Sequence, residues 1–139
     1  MNVIVRTLQG LEEVLADELT LLGAKDIEIL TRAVICDLTQ EQLYKANHLL
    51  RTAIKVMVPI KEVTIYNEYH LYNQVKDIEW EKYFSLNQTF AIDAVTHSET
   101  FRHSHYVALK SKDAIADRFR DIYDKRPFVN PVSPDMNIV

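Results

Sequence analysis

The stretch GLEEVLADELTLLG, residues 10–23, decides how the first half of this chain folds. Leu11, Val14, Leu15, Leu19 and Leu22 recur at helical spacing and predict one apolar face. The acids Glu12, Glu13 and Asp17 lie early, where the positive pole of a helix favours them. Gly23 stands where a left-handed C-terminal cap is wanted. Outward from this helix the pattern changes period. NVIVR before it alternates like a strand, and DIEIL and AVICDL after it read as two strands around a Thr31-Arg32 connection. Thr39, with Gln42 three residues on, forms a capping box for a second helix in QEQLYKANHLLRTA. The β-branched run IKVMVPIKEVTI closes the unit, and Pro59 within it implies an edge, a bulge or a break.

The order βαββαβ is that of the ferredoxin-like split unit, with two amphipathic helices on one face of an antiparallel sheet. Such an architecture hosts many functions and decides none. From about residue 66 the pattern restarts. Asn67 can cap EYHLYNQVKD, with Leu71 and Val75 facing inward, and IEWEKYF reads as a short helical turn anchored by Trp80 and Phe84. QTFAIDAVTH reads as a strand, HSETFRHSHY as a polar connection, and FVNPVSPDMNIV as extended chain stopping in mid-strand character.

A chain of 139 residues suits one medium domain or two small ones, and 47% hydrophobic with 26% charged residues is an ordinary globular composition. No apolar run approaches a membrane span and the start has no signal-peptide pattern, so no membrane partner is expected. The one cysteine, Cys36, reads as a small buried strand residue in a reducing compartment, which points to the cytoplasm. The formal charge of -4 is uneven: residues 1–44 carry -5, residues 45–100 carry -1 and residues 101–139 carry +2. That gradient is a modest sign of a polarised surface.

With only Gly10 and Gly23, the chain holds no glycine-rich loop for a phosphate or nucleotide. HExxH, paired CxxC and nucleophile-elbow patterns are lacking too, so no complete active site and no cofactor site is expected within these residues. Asn130-Pro131 starts like the Asn-Pro-Pro-aromatic motif of amino-methyltransferases, but Val132 and Ser133 break it, leaving a turn. His97, His103 and His105 lack neighbouring cysteines or clustered carboxylates, so they read as loop histidines before metal ligands, with stacking on RNA as the second reading. No metal site is expected.

In KSKDAIADRFRDIYDKRP, residues 110–127, Ile115, Phe119 and Ile122 continue an apolar stripe from Ala108. Asp113, Asp117, Asp121 and Asp124 fall opposite, as an acidic outer face on which Lys110 and Arg120 pair with neighbours. Lys112 and Arg118 flank the stripe. There they either snorkel over the core edge or point along the surface at a phosphate.

Several segments resemble, in order and spacing, the front of bacterial THUMP-containing RNA methyltransferases: GLEEVLADELTLLGAKDIE, LLRTAIKVMVPIKEV, LYNQVKDIEWEKYF, TFAIDAV, VALKSKDAIADRFRD and RPFVNPVSPDMNI. The resemblance runs to the 23S rRNA guanine-N2-methyltransferases and to relatives labelled N6-adenine-specific DNA methylases. It implies an α+β chain with a ferredoxin-like domain at 1–60 and an α/β THUMP domain at 61–139, a boundary that can also be drawn from about 45. It further implies that THUMP is C-terminally incomplete and that a methyltransferase domain using S-adenosylmethionine lies downstream.

The implied partners are RNA, ribosomal or tRNA-like, and that downstream domain. Carried over residue by residue, KSKDA offers Lys110 and Lys112, KRP offers Lys125 and Arg126, and LLRTA with the following Lys offers Arg51 and Lys55 at the domain junction. Arg118 joins them from the helix margin. Two departures are local: family members often carry Gly-Gly where this chain has Arg32-Ala33, and Gly before Arg-Pro where it has Asp124-Lys125. Two alternatives stay open: a docking module for the catalytic domain, or the THUMP part of a tRNA methyltransferase or tRNA thiolation enzyme.

Overall fold

The computed structural model describes residues 1–139, and the chain divides into two compact units, Met1–Glu62 and Val63–Val139. In the first, β1 (Asn2–Thr7), α1 (Glu12–Leu22), β2 (Lys25–Leu30), β3 (Ala33–Asp37), α2 (Gln40–Leu49) and β4 (Ala53–Met57) follow one another. The strands pair in the order β2-β3-β1-β4, every pairing antiparallel. This is the ferredoxin-like arrangement that the βαββαβ order implied. Strand alternation sends Val3 and Val5 of β1 and Val34 and Cys36 of β3 to one face, where Leu15, Ala16 and Leu19 of α1 and Ala46 of α2 meet them. Thr7 is the buried polar residue of this core, and its hydroxyl donates to the Thr52 carbonyl at 2.6 Å. Burial pushes the Cys36 thiol up, with the Asp37 charge adding to it, so the sulfur stays protonated and unreactive.

The buried stripe of α1 is rotated from the expected one. Leu15, Ala16 and Leu19 are buried while Val14 lies 47% exposed. Leu15 and Leu19 fix the centre of the stripe; Val14 falls more than a quarter-turn from it, and small Ala16 takes the other border. Gly23 adopts φ 94° at the end of α1, as the cap requires, and a Cβ there would meet the Gln42 amide at 2.9 Å. That amide donates to the Gly23 carbonyl at 3.1 Å, so the capping box of α2 also ties α2 to the end of α1. The β2–β3 turn forms without glycine, Arg32 taking φ 60° itself. The run after β4 breaks early: the strand ends at Met57, two residues before Pro59.

The second unit comprises α3 (Glu68–Lys76), a 3₁₀ turn at Trp80–Lys82, β5 (Phe90–Ile92), α4 (Ser104–Tyr123) and β6 (Met136–Ile138). β5 is much shorter than QTFAIDAVTH suggested and pairs in parallel with β6. Trp80, Phe84, Phe90, Ile115 and Phe119 form the core. Phe84 packs 5.3 Å from Phe90 and 4.9 Å from Phe119, centroid to centroid, in tilted geometry. On α4 the buried residues are Ala114, Ile115, Ala116 and Phe119, whereas Ile122 is 48% exposed near the helix end. Asp124 closes α4 at φ 58°, a left-handed cap position that glycine ordinarily fills. Asn130 accepts from the Val132 and Ser133 N–H groups at 3.2 and 3.1 Å, the turn expected there.

Thr39→Ala removes the hydroxyl that accepts from Gln42 N–H at 3.2 Å. A loss of about 1 kcal/mol is expected, lowering the melting temperature of the first unit by about 4–8 °C in a calorimetric scan. An unchanged melting temperature would show that the box contributes nothing.

Candidate functional site

The cations singled out from the sequence divide sharply once their partners are known. Arg118 projects from α4 onto the segment after α3. Its Nε and Nη2 each donate to the Glu81 carboxylate at 2.8 Å and its Nη1 donates to the Lys76 carbonyl at 2.9 Å. All three nitrogens are engaged and only 21% of the side chain is exposed. Of the RNA-binding candidates, Arg118 is therefore the one whose guanidinium is wholly engaged within the protein, as a clamp between α4 and the segment after α3.

The acidic side of α4 is corrected in part. Asp117 is turned toward α3 instead of solvent, while Asp121 stays exposed and pairs with Lys76 of α3. Asp117 accepts from the Tyr72 hydroxyl at 2.5 Å and from Arg126 Nη2 at 2.6 Å, with Arg120 at 3.7 Å, and Lys76 reaches Asp121 at 2.8 Å. Burial acts to raise the Asp117 carboxyl. The Tyr72 hydroxyl and the Arg126 and Arg120 charges outweigh it and hold the group below the usual carboxylate range. The Arg118 fork holds Glu81 at about 2.

Arg120 therefore pairs with an aspartate as its helical spacing implied, but Lys110 does not. Its ammonium lies 5.6 Å from the Tyr72 ring centroid, a cation–π contact. Lys112 sits 3.2 Å from Asp113 beside it. Lys125 is exposed and makes no ion pair. Arg126 is half exposed, with one edge on Asp117 and the rest of its fork open. The second unit thus retains Lys110, Lys112, Lys125 and the outer edge of Arg126 along α4 and just past its end.

Arg51 and Lys55 belong to the first unit. Arg51 follows α2, and its backbone N–H donates to Glu18 at 2.8 Å, leaving the guanidinium exposed. Lys55 on β4 lies opposite Arg6 on β1 in the antiparallel register. Their neighbours Val5 and Val56 pack into the core, so both cations stand on the sheet face away from the helices. Arg6 was not legible as a partner of Lys55, because 49 residues of sequence separate two strands that only the fold makes adjacent.

A second grouping also went unassembled in the sequence. Tyr66, Phe101, Arg102, His103 and Tyr106 line an open cleft of about 370 Å³ beside the starts of α3 and α4. His103 occupies the N-cap position of α4 without a side-chain cap bond, and no acid stands in the first turn. The aromatic spacing around HSETFRHSHY was the available signal. No three His, Cys, Asp or Glu side chains come together in metal-binding geometry, and no helix is long and apolar enough to cross a membrane.

Comparison with known proteins gives this geometry a family. The RlmL ferredoxin-like domain family matches residues 2–57, and the THUMP domain family matches residues 66–139. A Synechocystis protein provisionally named as an RNA methyltransferase is 36% identical over 130 residues, spanning 94% of this chain and 34% of that protein. This chain therefore spans about a third of that relative's length. Among solved structures, a Listeria monocytogenes protein described as a predicted N6-adenine-specific DNA methylase superposes over 99% of this chain and 37% of its own, with a TM-score of 0.79 at 20% identity. The methyltransferase SMU.472 complexed with SAH superposes over 99% and 38%, with a TM-score of 0.79 at 21% identity. At such identities the likeness is one of fold.

The Arg118–Glu81 pair carries a pH signature. The folded state lowers the Glu81 pKa, so its contribution is complete above the ordinary carboxylate range and is lost as pH falls from about 4.5 toward 2. Glu81→Gln should cost roughly 1–3 kcal/mol at neutral pH. Melts followed by the fluorescence of Trp80, the single tryptophan, should show the gap between variant and wild type closing through that window. A gap of constant size would mean that the pair is not what Glu81 contributes.

Proposed function

The chain belongs to the THUMP-domain family, with the RlmL ferredoxin-like domain ahead of THUMP, and on that premise we propose that it is the RNA-binding front of an RNA methyltransferase. The observation that carries this reading is the collinear pair of family matches, together covering residues 2–57 and 66–139. The name of the Synechocystis relative supports the same reaction class. In finer terms, the target is 23S rRNA and the reaction guanine-N2 methylation. S-adenosylmethionine is bound by a catalytic region beyond these residues, and the protein works in the cytoplasm.

The division of labour follows from the side chains. Lys110, Lys112, Lys125 and Arg126 in the second unit meet phosphates, which supply affinity and register but carry no base identity. Arg51, Lys55 and Arg6 offer the same chemistry on the first unit. Base choice and chemistry belong to the catalytic region. An acidic chain binds polyanions weakly, so the affinity of these residues alone should be micromolar or weaker and steeply dependent on salt.

The affinity of a 23S rRNA fragment, measured across salt, tests the assignment. Lys112→Ala and Lys125→Ala should each weaken binding and flatten the plot of log affinity against log salt by about 0.7 per lost contact on single-stranded segments. Arg118→Ala should lower the melting temperature instead. Unchanged slopes for the lysine variants would remove these residues from the interface. A chain that ignores RNA but binds the catalytic region in trans would support the docking reading.

A further inference from the structure

The cleft beside the starts of α3 and α4 is absorbed by none of the phosphate-binding residues, and its lining has a distinct chemistry. Tyr66 is 74% exposed, and one face of its ring stacks on His70, with centroids 5.8 Å apart and planes 5° from parallel. Tyr66 also lines the cleft. Tyr106 stands in the first turn of α4, its hydroxyl hydrogen-bonded to Glu68 across the gap between the two helices. Phe101 closes another side. The Ser98 hydroxyl accepts from the Thr100 and Phe101 N–H groups at 3.1 and 3.4 Å, holding the loop that presents it. Arg102 is anchored through Nε to the Glu99 carbonyl at 3.2 Å, which leaves its two terminal amino groups unengaged at the rim.

Aromatic rings of which Tyr66 is stacked on His70, a space of about 370 Å³ and a guanidinium in the lining suit one unstacked nucleotide. We propose that this cleft receives a single unpaired purine of the bound RNA, stacked against Tyr66, with its flanking phosphate on Arg102. The inference rests on the RNA-binding reading above and gives that reading a base-contacting site. Glu68 is occupied by Tyr106 and Glu99 also lines the cleft, so the phosphate contact falls to Arg102, whose terminal amino groups are unengaged. A purine offers the larger stacking surface, and a base inside a duplex offers no free face.

The full 139-residue chain can be tested with a ten-nucleotide oligoriboadenylate, an abasic phosphodiester chain of the same length, and a duplex RNA. Tyr66→Ala should weaken binding of the oligoadenylate by about 5- to 100-fold, the size of one lost base–aromatic stack. The salt slope should not change, because no charge is removed. On the abasic chain and on the duplex the same variant should bind like wild type, and Tyr66→Phe, which keeps the ring, should retain most of the affinity. Trp80 emission confirms that each variant is folded, since Trp80 is buried in the core of the same unit. If the oligoadenylate binds with a slope that depends on Lys112, yet Tyr66→Ala and Phe101→Ala stay within twofold of wild type, the cleft is overturned and the RNA reading stands. If the chain binds none of the three probes, both fall together.

Discussion

The fork of Arg118 on Glu81 is the contact on which the second unit depends. It joins α4 to the turn that carries Trp80, across 37 residues of sequence, and a third bond to the Lys76 carbonyl satisfies the end of α3. A guanidinium can do this because its donors lie in one plane and match a carboxylate edge. An ammonium at the same place lacks the coplanar paired donors and could not engage both carboxylate oxygens and the carbonyl in this geometry. With this clamp in place, the ionic contacts around it follow: Lys76 reaches Asp121, and Asp117 draws in Tyr72, Arg120 and Arg126. Part of the charged side of α4, centred on Asp117, is an interface with α3, while the side chains of Asp113, Asp121 and Asp124 stay exposed.

This explains which parts of the molecule were legible in the sequence. Signals confined to a few neighbouring residues carried through: the Thr39–Gln42 box, the Asn67 cap, the left-handed Gly23 and the βαββαβ order. Signals that depend on what lies across the chain did not. Val14 and Ile122 look apolar on a wheel, but a wheel has no knowledge of where the sheet or the partner helix sits. Asp117 looked solvent-facing because nothing near it in sequence reveals that Tyr72 will donate to it. The candidate site suffered the same way, since a lysine and an arginine are equivalent in composition whether they are free or clamped.

The scarcity of glycine shows how far local chemistry can substitute for residue type. Three positions outside glycine take positive φ: Asp26, Arg32 and Asp124. Asp124 suits the left-handed region because short polar side chains tolerate it. Arg32 does not, and its turn is instead fastened from outside. The Glu12 carboxylate accepts from the Arg32 N–H at 3.1 Å and from the Gly10 N–H at 2.9 Å, binding the β2–β3 turn to the start of α1. Its own backbone N–H, then those of Arg32 and Gly10 together with the Arg32 charge, outweigh desolvation and hold Glu12 below the usual carboxylate range. A turn that lacks glycine is thus fastened by a residue twenty positions away.

An acidic chain can still present a surface that meets RNA, because net charge does not say where unpaired charge lies. Glu81 and Asp121 are each answered at close range by one cation, and one carboxylate, Asp117, faces two guanidiniums. The end of α4 therefore keeps part of Arg126 uncommitted beside the free Lys125, with exposed Asp124 as the opposing charge. Fields from such a patch fade within roughly 8–10 Å at physiological ionic strength. A polyanion must come close before it is attracted. If the module positions RNA for a catalytic region, as proposed, weak attraction with a defined register serves better than strong attraction without one, since a tightly held but unregistered RNA would have to dissociate before it could be modified.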